Sequence, residues 1–173
     1  MPRGTVTPLV QFQGVIFALR LSPDHRWLAF VLRDAGQQTT ILLELSNNTL
    51  TKLTIPVGTT PLRLEWSASG RYLAVSIAGG TRGEIRVFDA GTSFQTSTAW
   101  VTGAWFPHFE WSPFKEELAA LRADPALRLV RADGTRVVEV SIDVPPRLSV
   151  VDFVWSNWGM PRTLGVFSTL VGK

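Results

Sequence analysis

The sequence predicts an all-β chain made of β-propeller blades of four antiparallel strands, about three full repeats plus a partial fourth. Three observations carry this. First, a Trp/Leu-Ser pair recurs as Leu21-Ser22, Trp66-Ser67, Trp111-Ser112 and Trp155-Ser156, with the serines 45, 45 and 44 residues apart. A period of about 40–45 residues is that of a propeller blade. Second, Leu-Ala follows each of the first three serines by six residues, at Leu28-Ala29, Leu73-Ala74 and Leu118-Ala119. In the fourth copy Leu164-Gly165 comes eight residues on, after an insertion carried by Gly159-Met160-Pro161. Third, two more β-rich runs follow in each of the first three copies.

Each copy opens with a short apolar strand, turns tightly and returns as a second apolar strand. The turns are Pro23-Asp24, Ser69-Gly70, Pro113-Phe114 and Asn157 with Gly159, residue types that preset φ or tolerate positive φ. Third strands are expected over Thr40–Leu45, Glu84–Asp89 and Leu127–Ala132. After the turns Ser46-Asn47-Asn48, Ala90-Gly91-Thr92 and Asp133-Gly134, fourth strands are expected over Thr49–Ile55, Phe94–Val101 and Val137–Ile142. Asp-Gly is a strong hairpin signal, and four antiparallel strands per period make a blade. The repeats lie near 15–56, 61–102, 105–144 and 150–173, within one domain.

The segment Trp66-Ser67-Ala68-Ser69-Gly70-Arg71-Tyr72-Leu73-Ala74-Val75 resembles the Trp-Ser-Pro-Asp-Gly-x-x-Leu-Ala strand–turn–strand of WD40-like and TolB-type propeller repeats. Ile85-Arg86-Val87-Phe88-Asp89 is similar to the third strand of a WD40 blade, with Phe where Trp is usual. The resemblance covers about residues 15–168. The Gly-His pair that opens many WD40 repeats is missing, as is a strict Trp-Asp, so the buried His/Asp network of regular WD40 blades does not carry over.

Composition agrees with this class. Apolar residues make up 45% of the chain, and a chain of this size buries roughly 70% of its unfolded surface. With no cysteine, neither disulfides nor thiolate metal sites are available, which fits a reducing, cytoplasmic setting. Met1-Pro2-Arg3-Gly4 is not followed by an apolar stretch of signal-peptide length, and no run approaches the ~20 apolar residues of a membrane span. The net charge is +3. Its arginines are scattered one or two per repeat, unlike the clustered stripe of a nucleic-acid surface.

Trp66, Trp111 and Trp155 share one repeat position and are therefore expected in equivalent buried sites at the ends of the innermost strands. Trp105-Phe106-Pro107-His108-Phe109 lies in a link between repeats, where loops gather on one face. Trp105, Phe106 and His108 are the candidate partner-binding residues, joined by Arg20 and Arg63, read as corresponding basic positions in the first strands of their repeats. Catalytic chemistry finds little footing. His25 and His108 have no second His or Cys at metal-ligand spacing. His25 replaces Gly in a Pro-Asp-Gly turn. No Gly-x-Ser-x-Gly elbow occurs, and Gly79-Gly80-Thr81-Arg82-Gly83 lacks the Lys-Ser/Thr ending of a phosphate loop, reading instead as a hairpin.

Propellers have about 4–8 blades, so three repeats and part of a fourth leave a ring to complete. Thr5–Phe12 is apolar enough to be an outer strand paired with the fourth repeat. A closed four-bladed ring, an arc completed by a second copy or another protein, and a piece of a larger propeller are the three readings. The function expected is a non-enzymatic propeller module, a scaffold or recognition subunit for another protein, without catalytic, cofactor or metal site and with neither membrane nor nucleic acid as partner. The alternative is a sensor or substrate-gating propeller of a larger signalling protein or peptidase.

Overall fold

The computed structural model describes residues 8–80, 82–95, 97–102, 108–121, 126–135, 137–141, 148–156 and 163–170. For the strands at 97–102, 148–156 and 163–170 it is the backbone that is described. The first sheet runs β1 (Val15–Leu21), β2 (Trp27–Asp34), β3 (Gln37–Glu44) and β4 (Thr49–Lys52). The second runs β5 (Thr60–Trp66), β6 (Tyr72–Gly79), β7 (Arg82–Asp89) and β8 (Ser97–Thr102). The third runs β9 (His108–Trp111), β10 (Glu117–Leu121), β11 (Ala126–Arg131) and β12 (Val137–Ser141). β13 (Leu148–Ser156) and β14 (Thr163–Leu170) form a two-stranded sheet. Every pairing is antiparallel between consecutive strands. The sheets converge on their first strands: β1 packs beside β5, β5 beside β9 and β9 beside β13. These are blades succeeding one another along an arc, with β1, β5, β9 and β13 at its inner edge.

The repeated serine closes the first hairpin of each blade. Ser22, Ser67 and Ser112 are buried, and their amides donate to the carbonyls of Trp27, Tyr72 and Glu117, each at 2.8 Å. In the first two copies the hydroxyl also accepts the returning amide, Trp27 N at 2.9 Å and Tyr72 N at 3.1 Å. Three residues after the serine the chain adopts positive φ, 58° at His25 and 74° at Gly70. His25 thus occupies the glycine site of the turn, a conformation in which His is one of the enriched non-glycine residues.

Two apolar cores lie between blades. Trp27, Ala29, Val31, Leu42 and Leu53 of the first blade pack against Leu64, Trp66, Leu73, Val75, Ile77 and Phe88 of the second. Ala74, Ile85 and Val87 on the second blade's other face meet Phe109, Trp111, Leu118, Ala120 and Val130 of the third. Strand alternation produces both from one sequence, since successive residues face opposite sides of the sheet.

Trp66 and Trp111 sit where the repeat predicts, buried at the ends of β5 and β9. The indole of Trp66 donates to the Arg20 carbonyl at 3.2 Å, and that of Trp111 to the Glu65 carbonyl at 2.9 Å. Arg20 and Glu65 are register equivalents, so each tryptophan ties its blade to the same point of the preceding one. Trp155 holds the matching backbone position in β13, paired with Leu164 as Trp66 pairs with Leu73.

Some boundaries differ from expectation. β3 starts at Gln37 because Ala35 (φ 46°) and Gly36 (φ 80°) form a two-residue turn, positive φ at both positions being the hairpin type whose twist matches the strands. β4 ends at Lys52, ahead of Pro56. Phe94 is not in a strand: Ser93 and Phe94 have φ of 54° and 58° after a short 3-10 turn at Ala90–Thr92. Its ring lies 5.0 Å from Trp27 and 6.0 Å from Trp66, both edge-on. Nor do residues 8–12 form an outer strand. Phe12 instead meets Phe30 of β2 edge-on at 5.2 Å, because the apolar face it covers belongs to the first blade and burial of that ring dominates. Residues 5–7 lie outside the described residues.

Arg71 and Asp89 bracket the second blade in a bidentate pair, at 3.1 and 2.9 Å, and Asp89 also accepts the Gly91 amide at 2.7 Å. Arg71 holds the Asp89 carboxyl below its ordinary range, against the opposing push of burial. A carboxylate with a lowered folded pKa stabilises above its unfolded pKa, and that contribution is lost as pH falls through the folded value. Asp89→Asn is therefore expected to flatten the acid limb of the stability–pH profile. The Arg71 side chain is 58% exposed, so solvent screening holds the effect to no more than about 1 kcal/mol in denaturant titrations.

Candidate functional site: a charged row on the inner edge

The inner edge carries a connected row of polar side chains. The Arg63 guanidinium on β5 contacts Glu65 through Nε at 3.1 Å and Nη2 at 3.0 Å. Its Nη1 lies 3.2 Å from His108 Nδ1 on β9, and the group sits 5.2 Å from the Phe109 ring centroid, within cation–π range. Arg20 on β1 reaches the same Glu65 oxygen at 3.6 Å. One carboxylate is thus shared by guanidinium groups from two blades. A guanidinium only donates, so His108 Nδ1 accepts and the ring proton resides on Nε2, which faces Glu110 Oε1 at 3.9 Å.

The repeat register explains the row. Three residues before the motif Trp/Leu come Ala18, Arg63, His108 and Asp152; one residue before it come Arg20, Glu65, Glu110 and Val154. These positions alternate with the buried Leu64, Trp66, Phe109 and Trp111, so the polar positions fall on the other side of the strand. A register shift within β1, between Phe17 and Arg20, and another within β5, between Pro61 and Arg63, bend the strands there.

Of the five residues expected to bind a partner, the structure brings together Arg20, Arg63 and His108. Two corrections apply. Arg20 and Arg63 are not corresponding positions: Arg20 matches Glu65 and Arg63 matches Ala18, their separation of 43 residues falling short of the 45-residue period. They converge because neighbouring inner strands pack side by side and a long guanidinium stem spans the difference. His108 is the first residue of β9 and not a loop residue, its side chain 15% exposed and held against Arg63. Trp105 and Phe106 lie outside the described residues. Glu65, Glu110 and Phe109 were not singled out from the sequence, although the register carried the signal.

A second concavity, an open groove of about 710 Å³, lies at the turn end between the second and third blades. Ala68, Ser69, Tyr72, Phe114 and Arg131 line it, with Phe114 well exposed. The first and second blades close at the equivalent place: a Cβ on Gly70 would lie 2.9 Å from Asp24 Cγ. Among the described residues no group of three or more His, Asp or Glu is arranged to hold a metal ion. Among the described residues, no helix is long and apolar enough to cross a membrane.

No protein-family model matches the chain, and no curated protein matches it. Solved structures do. The chain is similar to an oligogalacturonate lyase in complex with manganese (TM-score 0.68, 17% identity, covering 95% of this chain and 50% of that one). It is also similar to the β-propeller domain of the Trilobed protease from Pyrococcus furiosus, described as having an open velcro topology (TM-score 0.62, 16% identity, 91% and 55%). A third is a putative TolB from Agrobacterium tumefaciens (TM-score 0.51, 16% identity, 69% and 46%). The fold is that of a β-propeller, and TolB-like and WD40-repeat structures are among its likenesses. The chain spans about half the length of the three proteins described.

Proposed function

We propose that this chain is a non-enzymatic propeller module that recognises another protein through the inner-edge row of Arg20, Arg63, Glu65 and His108, in a cytoplasmic setting. The observation that carries the reading is the shared carboxylate: the guanidinium groups of Arg20 and Arg63, from two blades, meet at one Glu65 oxygen beside the Phe109 ring. Arginine and aromatic groups are the residue types that dominate recognition hot spots, and a bidentate guanidinium suits a partner carboxylate. The neighbours include the propeller domain of a protease, and a lyase, but function resides in sites and not in the fold. A substrate-gating propeller is the second reading, favoured by the likeness to the Trilobed protease propeller.

The test pairs two measurements on the purified chain. Incubation with a chromogenic peptide panel and with oligogalacturonate is expected to give no turnover. Affinity capture followed by cross-linking is expected to yield a protein whose binding weakens about thirtyfold, or about 2 kcal/mol, in the Arg63→Ala/His108→Ala variant. Lys52→Ala, an exposed site on β4, should leave it unchanged. Turnover abolished by the double substitution would replace recognition with catalysis.

A further inference from the structure

The third blade departs from the first two at its turn end in two ways. Two residues after the serine, the first blade has Asp24, whose Oδ1 accepts the Ser22 hydroxyl at 2.6 Å and the Arg26 amide at 3.2 Å. The second has Ser69, whose Oγ accepts the Arg71 amide at 3.1 Å. The third has Phe114, whose side chain can accept neither bond and is left 66% exposed. A large ring where the local chemistry wants a small acceptor is the kind of departure that marks functional sites.

The second departure is a reversal of charge. Four residues after the serine stand Arg26, Arg71 and Glu116. The third strands bring Glu44, Asp89 and Arg131 to one register position, opposite Trp27, Tyr72 and Glu117. Arg26 pairs with Glu44 at 3.9 Å and Arg71 with Asp89 at 2.9 Å. In the third blade Arg131 faces Glu117 at 3.9 Å, while Glu116 Oε2 is closed off from water and has no hydrogen-bond partner. An acceptor in that state is costly. The Glu116 side chain as a whole is part-buried, so a torsional turn carries the oxygen to a donor beside it.

Both departures line the groove between the second and third blades. At the first seam Asp24 closes on Gly70; the corresponding residues at the second seam, Ser69 and Lys115, stand in the lining of the open groove. Its volume of about 710 Å³ is that of a ligand site, roughly 300–1,000 Å³. The lining carboxylates Glu116, Glu117 and Asp133 outnumber the cations Lys115 and Arg131 by one. Glu117 has Arg131, and Asp133 accepts the Thr135 amide and hydroxyl at 2.9 and 2.7 Å. Arg71, near enough to feel the Glu116 charge, is held in a bidentate pair by Asp89. Elsewhere the chain lays guanidinium groups on rings of this kind: Arg33 on Phe17, Arg63 on Phe109 and Arg71 on Tyr72, at 5.1, 5.2 and 4.9 Å.

We propose that the groove binds an arginine side chain carried on an extended segment of a partner protein, its guanidinium over the Phe114 ring and bonded to Glu116. A planar guanidinium is the group that joins an aromatic face to a carboxylate, and the surplus of lining carboxylate favours a cation. The site shares no residue with the inner-edge row, so each can fail without the other.

The test is a titration of the isotope-labelled chain, followed by its amide resonances, with three capped probes. These are the peptide Gly-Leu-Arg-Leu-Gly, the same peptide with citrulline, the neutral isostere, in place of arginine, and N-acetylarginine amide alone. The arginine peptide is expected to shift the amides of Ser69, Tyr72, Phe114 and Glu116, and to bind about tenfold or more tightly than either other probe, as a charge-assisted bond requires. Glu116→Gln should bring the arginine and citrulline peptides to equal affinity. Phe114→Ser installs the acceptor of the second blade's turn, so it is expected to keep or raise the denaturant midpoint while weakening the arginine peptide about tenfold. Groove amides that do not move, arginine and citrulline peptides that bind the parent equally, or a Phe114→Ser chain that binds as the parent does would each overturn the proposal. Arginine amide binding as tightly as the peptide would overturn its commitment to a protein segment.

Discussion

Replacing Trp66 by alanine is expected to destabilise the chain by about 3–5 kcal/mol, as for large aromatic truncations in cores. The ring is 8% exposed, packs in the core shared by the first two blades, and ties them through its indole bond to the Arg20 carbonyl. Against a typical domain stability of about 5–15 kcal/mol, that loss moves the denaturant midpoint far enough to measure easily. Trp66→Phe separates the contributions. It keeps most of the ring but orphans the carbonyl partner, so about 1 kcal/mol of the loss should trace to the hydrogen bond. Chemical denaturation followed by circular dichroism measures both variants.

Phe94→Ala should cost nearly as much, about 3–5 kcal/mol on the same grounds. Its ring plugs the space between Trp27 of the first blade and Trp66 of the second, and is 4% exposed. Because Phe94 and Trp66 touch, their losses should not add: the double variant is expected to lose less than the sum, residues in contact showing coupling of about 0.5–3 kcal/mol. If Phe94 instead lay in an outer strand facing solvent, its truncation would be nearly neutral.

Phe94 also shows where sequence reading stopped. An aromatic residue in a β-rich run reads as strand, and nothing local announces positive φ at Ser93 and Phe94; only the aromatic pocket formed by Trp27 of the first blade and Trp66 of its own blade stabilises it. Ala35-Gly36 escaped notice similarly, since alanine is an unusual choice for positive φ and the following Gln37-Gln38 has little β-propensity. What the period did specify was the hairpin built on each serine, the equivalence of Trp66 and Trp111, and the four-strand blades. His25 in the glycine position of its turn was legible too, because turn chemistry is local.

The inner-edge row was half legible. Arg20, Arg63 and His108 stood out by charge, but their grouping depends on which inner strands lie side by side, information held in the packing of β1, β5 and β9. Glu65 was overlooked because a lone carboxylate in a strand carries no motif. Aligning the four repeats on their serines would have placed it one residue before Trp66, on the side opposite the core. The 47% exposure of Leu21 was invisible for a related reason: Leu21 is as apolar as any core residue, and exposure is a property of what stands next to it.

The central claim is that the recurring tryptophan joins consecutive blades, and indole hydrogen exchange tests it most directly. With assignments from single Trp→Phe variants, the Nε1 protons of Trp66 and Trp111 are expected to exchange slowly, at rates approaching those of the strand amides of β6 and β10, since both bonds lie between packed sheets. Rapid exchange of both protons, in a chain whose strand amides remain protected, would contradict the account: the tryptophans would then face solvent, and the period would have another cause.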